Sequence, residues 1–171
     1  MQENGLKTIN YYKGNNIMDI KFEVEGNRFN VRSSCIIKDK EHNKVLLTNM
    51  RAITDHDAFL LPGGRLEIFE NSEEAIKREI EEELNLKLDY KLISIEENIA
   101  KLDKFQMIEF VYYAEIDSFE KMEIPNDGWD KFKVMEIKDI DKIDIRPKTI
   151  NKLIKCDEYF NISHNVNYDW A

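Results

Sequence analysis

Glu79, Glu82 and Glu83 stand at i, i+3 and i+4 in the run GRLEIFENSEEAIKREIEEELNL, Gly64 to Leu86. At about 100° per residue, helical geometry brings the three carboxylates within an arc of roughly 100°. Like charges so placed repel by roughly a few tenths of a kcal/mol on an open surface, and by more when partly desolvated. A hard cation offsets that repulsion, because Mg²⁺ and Mn²⁺ prefer carboxylate oxygens and keep coordination positions free for a substrate phosphate. An acidic helix entered through the glycine turn Leu61-Pro62-Gly63-Gly64 therefore reads as a divalent-metal site for phosphate chemistry. Glu81 faces solvent in this arrangement and is left out of the ligand set.

Glu-rich helices are in most cases solvated faces, so the longer spacing has to decide. Gly64, Glu70, Arg78, Glu79, Glu82 and Glu83 keep fixed offsets. With each residue type at roughly 6–7 % usage, a chance match somewhere in the chain is on the order of one in 10⁵.

The elements around the cluster must hold it in place. Asn71 and Ser72 are both good N-cap residues, and Glu74 lies at the capping-box spacing from Asn71. Glu73 and Glu74 place negative charge in the first turn, where the helix dipole favours it. Asn85 stands at the expected stop, in the role that suits a left-handed C-cap. Ile76, Ile80 and Leu84 form a narrow apolar stripe, so the helix docks on one side. Alternating or apolar runs predict strands at 20–24, 29–38, 44–50, 58–61, 88–96, 106–116 and 132–137. The polar turn Asp39 to Asn43 joins two of them as a hairpin. Pro147 fits the first turn of a second helix running to about Lys155. The expectation is an α/β chain: a mixed β-sheet sandwiched between helices, as one domain over 18–171, with residues 1–17 as a flexible extension.

The segment resembles the Nudix box, Gly-x5-Glu-x7-Arg-Glu-apolar-x-Glu-Glu-x-Gly-apolar. Gly64, Glu70, Arg78, Glu79, Ile80, Glu82, Glu83 and Leu86 match it, while Asn85 replaces the terminal Gly at a position where Asn tolerates positive φ. The upstream Leu-Pro-Gly-Gly is also common in that family. The resemblance implies the α/β/α Nudix sandwich and a Mg²⁺-dependent hydrolase, with Mn²⁺ as a substitute, that cleaves a nucleoside diphosphate linked to another moiety. Glu79, Glu82 and Glu83 would ligate the metal, helped by a backbone carbonyl near Gly63 or Gly64. Arg78 would orient the carboxylates, and Glu70 would brace the loop before the helix. In such chemistry metal ions neutralise the diphosphate and position and acidify a water for attack on phosphorus. The proton acceptor is Glu82 or Glu79, or an acid from elsewhere such as Glu96, Glu97 or Glu109.

Composition narrows the partners. The 171 residues carry 25 Lys and Arg against 34 Asp and Glu, a formal charge of −9. Tight non-specific binding to RNA or DNA is not expected, since phosphate binding is driven by Lys and Arg. A small nucleotide-type substrate fits better. No run approaches 18 consecutive apolar residues, so no membrane span is expected. The N-terminus lacks a signal-peptide pattern, and Cys35 and Cys156 show no metal or redox spacing, so a reducing cytoplasm is the expected compartment. Arg51, Arg65 and Arg146 are the cations set nearest a phosphate site by sequence, with a surface ion pair as the plain alternative for each. Phe105, Tyr112, Tyr113 and Trp129 are the candidates for stacking on a base. His164 has no partner in sequence and reads as structural. A non-catalytic nucleotide-binding sensor or scaffold is the alternative to the hydrolase, although such domains usually lose metal carboxylates that this chain keeps. A lipid-diphosphate isomerase is weaker still. Many relatives dimerise, which makes a homodimer an expectation as well.

Overall fold

The computed structural model describes residues 18–50, 57–122 and 131–168. Nine strands among them join one mixed sheet. They are β1 (Lys21–Val24), β2 (Asn27–Asp39), β3 (Lys44–Asn49), β4 (Phe59–Leu60), β5 (Gly63–Arg65), β6 (Lys91–Ala100), β7 (Phe105–Ile116), β8 (Phe132–Glu136) and β9 (Ser163–Tyr168). The path through the sheet is β4-β3-β2-β7-β6-β9, with β1 and β5 also on β2 and β8 on β3. β2 and β7 run parallel, as do β6 and β9, and the remaining pairs are antiparallel.

Helix α1 (Ser72–Leu84) covers one face. Its stripe Ile76, Ile80 and Leu84 is fully buried against Cys35 and Ile37 of β2 and Tyr112 and Ala114 of β7. The opposite face of the same strands, Ile36 of β2 and Val111 of β7, packs under Ile140, Ile145 and the short helix α2 (Thr149–Ile154) through Ile150 and Ile154. Alternation along β2 thus feeds both cores, as a strand buried on two sides requires. The result is the expected α/β/α sandwich. Among the described residues no helix is long and apolar enough to cross a membrane.

Several boundaries differ from expectation. β6 starts at Lys91 rather than near residue 88, and α2 begins at Thr149, after Pro147. β1 forms as alternation predicted, yet all four of its residues are exposed. The C-terminal strand β9 was not expected. Its inward residues are polar: Asn165 and Asn167 donate to the carboxylate of Glu96 at 2.8 and 3.0 Å. The apolar residues that alternate with them, Val166 and Tyr168, face outward and are exposed, although the strand is paired along its length. His164, which lacks a neighbour in sequence to pair with, meets Glu97 on that strand's outer side at 2.7 Å. Cys35 is buried, where lack of solvent pushes its thiol well above the ordinary value, as suits a core residue.

Candidate active site

The acidic helix begins and ends as its sequence directs. Asn71 accepts from the N–H groups of Glu73 and Glu74 at 3.0 and 2.9 Å, and Glu74 accepts from Asn71 N–H at 3.0 Å, completing the capping box. At the other end Asn85 adopts φ 54°, ψ 35°, the left-handed cap that glycine usually supplies. Ser33 of β2 adds a tether by donating to Ser72 O at 2.7 Å, and Tyr112 shares a 2.8 Å hydrogen bond with the Ser72 hydroxyl. That hydroxyl pairing and burial under α1 make Tyr112 part of the scaffold.

The turn before the helix is set flush on β2. Ser33 pairs with Gly64 and Ser34 with Gly63 in an antiparallel register. A side chain on Gly64 would collide with the Glu79 carboxylate, whose atoms lie 2.1–2.3 Å from the Cβ position. The glycine is therefore what lets this carboxylate rest against the turn.

Arg78 is the hub of the cluster. Its Nε and Nη2 donate to the two oxygens of Glu70 at 2.9 and 3.0 Å, a bidentate fork. Nη1 reaches Glu79 at 2.9 Å and Glu82 at 3.3 Å, and Nη2 also donates to Arg65 O at 3.0 Å. Glu70 accepts in addition from Glu67 N–H at 2.9 Å, which closes the loop ahead of the helix. Burial pushes the Glu70 carboxyl up, but the Arg78 and Glu67 hydrogen bonds and the Arg78 charge together hold it below the ordinary carboxylate value. Glu79 goes the other way. Burial raises it, Arg78 opposes, and the neighbouring Glu83 and Glu82 charges raise it further. Glu83 pairs with Lys131, and its second oxygen is buried without a hydrogen-bond partner.

Among the described residues no three metal-ligating side chains converge in metal-holding geometry. Glu79 and Glu82 turn to Arg78, and Glu83 turns to Lys131. The donor set nevertheless fits a hard cation: three carboxylates on neighbouring helical positions, one held against a glycine turn, and one with an orphaned buried oxygen.

The other sequence candidates scatter. Arg65 pairs with Asp19 at 3.0 Å and Arg146 with Asp144 at 2.9 Å. Tyr113 donates to Glu115 at 2.6 Å, and Phe105 lies under the guanidinium of Arg28 at 5.5 Å. Glu96 and Glu109 are buried, directly opposite each other across β6 and β7. Arg51 and Trp129 lie outside the described residues. Lys131 was missed by the sequence reading, because it is 48 residues from Glu83 and only the pairing of β8 with β3 brings it near.

A model of the NUDIX domain family matches residues 28–154. The chain belongs to the Nudix family. Solved structures agree on the fold. A mutator MutT protein from Bacillus halodurans is 19 % identical with a TM-score of 0.61, covering 83 % of this chain and 93 % of that one. A mutT/nudix family protein from Listeria innocua is 20 % identical with a TM-score of 0.57, covering 74 % and 89 %. A MutT NUDIX hydrolase from Burkholderia pseudomallei is 25 % identical with a TM-score of 0.53, covering 64 % and 84 %. Family and relatives together support a Nudix hydrolase, and hydrolases of this family generally use divalent metal ions.

The Arg78 fork within the Nudix box gives a sharp expectation. Arg78→Lys replaces five planar donors by a point charge that cannot grip Glu70 with two bonds while also reaching Glu79. Stability at pH 7 is expected to fall by about 2 kcal/mol, and turnover by about 10- to 100-fold. Because the folded value of Glu70 is depressed, its contribution is present above its ordinary 4.5 and disappears as pH falls through the lowered value. Urea denaturation at pH 7 and pH 3 should therefore show a smaller gap between variant and wild type in acid. An equal gap at both pH values would remove Glu70 as the partner that matters.

Proposed function

We propose that this chain is a divalent-metal-dependent Nudix pyrophosphohydrolase that cleaves a nucleoside diphosphate linked to another moiety. The observation that carries the reading is the Glu79 carboxylate seated on the Gly64 turn, with Glu82 beside it on the same arginine. Glu79, Glu82 and Glu83 would hold the ion. When bound, Mg²⁺ or Mn²⁺ supplies charge neutralisation for the diphosphate and activation of the attacking water.

The chain's own residues do the rest. Arg78 sets the angle of Glu79 and Glu82, and Glu70 holds Arg78 from the loop side. Glu79 and Glu82 would turn from Arg78 to hold the ion, and Glu70 would remain the bidentate partner of Arg78. Glu82, the most exposed of the three, or Glu79, the most enclosed, accepts the proton from water. The substrate is a small nucleotide-type diphosphate derivative, consistent with a chain of net charge −9 that needs a cation to receive a phosphate.

The test is release of phosphate or nucleotide from a panel of nucleoside diphosphate derivatives, assayed with Mg²⁺, with Mn²⁺ and with EDTA. Turnover of at least one compound should stop with EDTA and return when excess metal is restored. Turnover that survives chelation would sink the metal-dependent mechanism. Nucleotide binding without turnover would turn the assignment to a sensor or scaffold.

A further inference from the structure

The glycine turn is gripped by a side chain that belongs neither to the turn nor to the acidic helix. Arg32 of β2 sends Nη2 to the carbonyls of Leu61 and Gly63 at 3.1 and 3.2 Å. The carbonyl between them, Pro62 O, accepts from Cys35 N–H at 2.9 Å. Three successive carbonyls of the turn are thus fixed from one strand. Arg32 is itself held from the far side. Its partner in the parallel β2–β7 register is Glu109, whose Oε1 lies 3.4 Å from Arg32 Nε. Both side chains are nearly enclosed, at 13 % and 5 % exposure. Glu109 in turn accepts from Asn98 of β6 at 3.3 Å.

Carbonyl dipoles that converge on one point repel each other, so a turn that aims two of them at the same nitrogen needs a cation there. A guanidinium in an enclosed site needs an anion behind it, or its own desolvation undoes the gain. Glu109 is placed to be that anion. The sheet register, rather than the box sequence, brings the two together.

We propose that Arg32, anchored by Glu109, is a positioning residue of the Nudix site: it locks the Leu61 and Gly63 carbonyls and so fixes the turn against which Glu79 is seated. The proposal rests on the metal-dependent reading above. Releasing the turn lets Gly64 withdraw from Glu79 and changes the spacing between turn and helix on which ion binding depends. A displacement of about 1 Å at a site of this kind costs on the order of 10²-fold.

The experiment uses the full chain and Mn²⁺ alone as probe. Free Mn²⁺ is followed by electron paramagnetic resonance, and amide hydrogen exchange is measured in parallel for wild type, Arg32→Ala, Arg32→Lys and Glu82→Gln. Arg32→Ala should weaken Mn²⁺ about tenfold and speed exchange at residues 61–65 without loosening α1. Added guanidinium ion at low concentration should restore part of the affinity. Glu82→Gln should weaken Mn²⁺ with unchanged exchange at 61–65. If Arg32→Ala does not fold, Arg32→Lys, with its point charge, should show the same changes in smaller degree. Wild-type Mn²⁺ affinity in a folded Arg32 variant, or exchange at 61–65 that does not move, overturns the proposal. Absence of Mn²⁺ binding by wild type itself would overturn the metal-dependent reading, and exchange at 61–65 would still decide whether Arg32 holds the turn.

Discussion

Glu82→Gln is expected to lower turnover by about 10²–10³-fold, the loss seen when one charge-stabilising group leaves an active site, while the urea midpoint stays where it was. The two halves of this expectation come from different features. Glu82 is 61 % exposed, and its one contact on Arg78 is long, at 3.3 Å. An exposed ion pair of this sort contributes about 0–1 kcal/mol. Removing one of three neighbouring negative charges also relieves repulsion of roughly the same few tenths that the pair supplies. Folding should hardly register the change. The chemistry should, because Gln keeps the shape and loses both the anionic charge for the cation and the basicity for a proton. Initial rates at saturating Mg²⁺, set beside denaturation curves, make the measurement. Turnover within threefold of wild type would take Glu82 out of the mechanism. A large drop in midpoint would mean that the side chain holds the fold, contrary to its exposure.

The separation of function from folding at Glu82 mirrors what could be read from sequence and what could not. Helix α1 was legible because every signal for it is local. The capping box lies within four residues, Asn85 ends the helix by its own backbone preference, and Ile76, Ile80 and Leu84 repeat at the helical period. The hairpin of β2 and β3 was legible for the same reason. Arg65 was expected near phosphate because it follows the turn, but β5 lies antiparallel on β2 and its edge brings Arg65 to Asp19. That ion pair is the plain alternative that stood beside the phosphate expectation. Arg32 and Lys131 could not be found, because their partners are set by strand pairing over long separations. Glu96 and Glu109 stand among the proton-acceptor candidates, but their burial was not legible, since buried carboxylates are rare. Only the surrounding groups explain them: hydrogen bonds from Thr149, Asn165 and Asn167 to Glu96, and the charge of Arg32 with a hydrogen bond from Asn98 on Glu109. β9 is inverted by the same network: its amides point inward to Glu96, and the apolar side chains that alternate with them, Val166 and Tyr168, are exposed.

Gly63→Ala is expected to damage folding and chemistry together, by about 3 kcal/mol in stability and about 10²-fold in turnover. Gly63 has φ +134°, which an L side chain rarely adopts, and an added Cβ would lie 2.2 Å from Ser33 O and 2.8 Å from Ser34 Cα. Both obstacles are backbone atoms of β2, and β2 is anchored along its length by β7. The strand cannot give way, so the turn must lift. Lifting it lengthens the reach from Arg32 to the Leu61 and Gly63 carbonyls and opens the seat of Glu79. Gly64 is a different case, because the atoms nearest an added methyl there are the end of the Glu79 side chain, which can swing aside without moving backbone. Strain at Gly63 therefore has no cheap release. Urea denaturation and initial rates on the same preparation test both numbers. An alanine variant as stable as wild type would show that the turn does not sit flush on β2. A variant that loses stability and keeps full turnover would break the link between the seat of the turn and the chemistry of the carboxylates behind it.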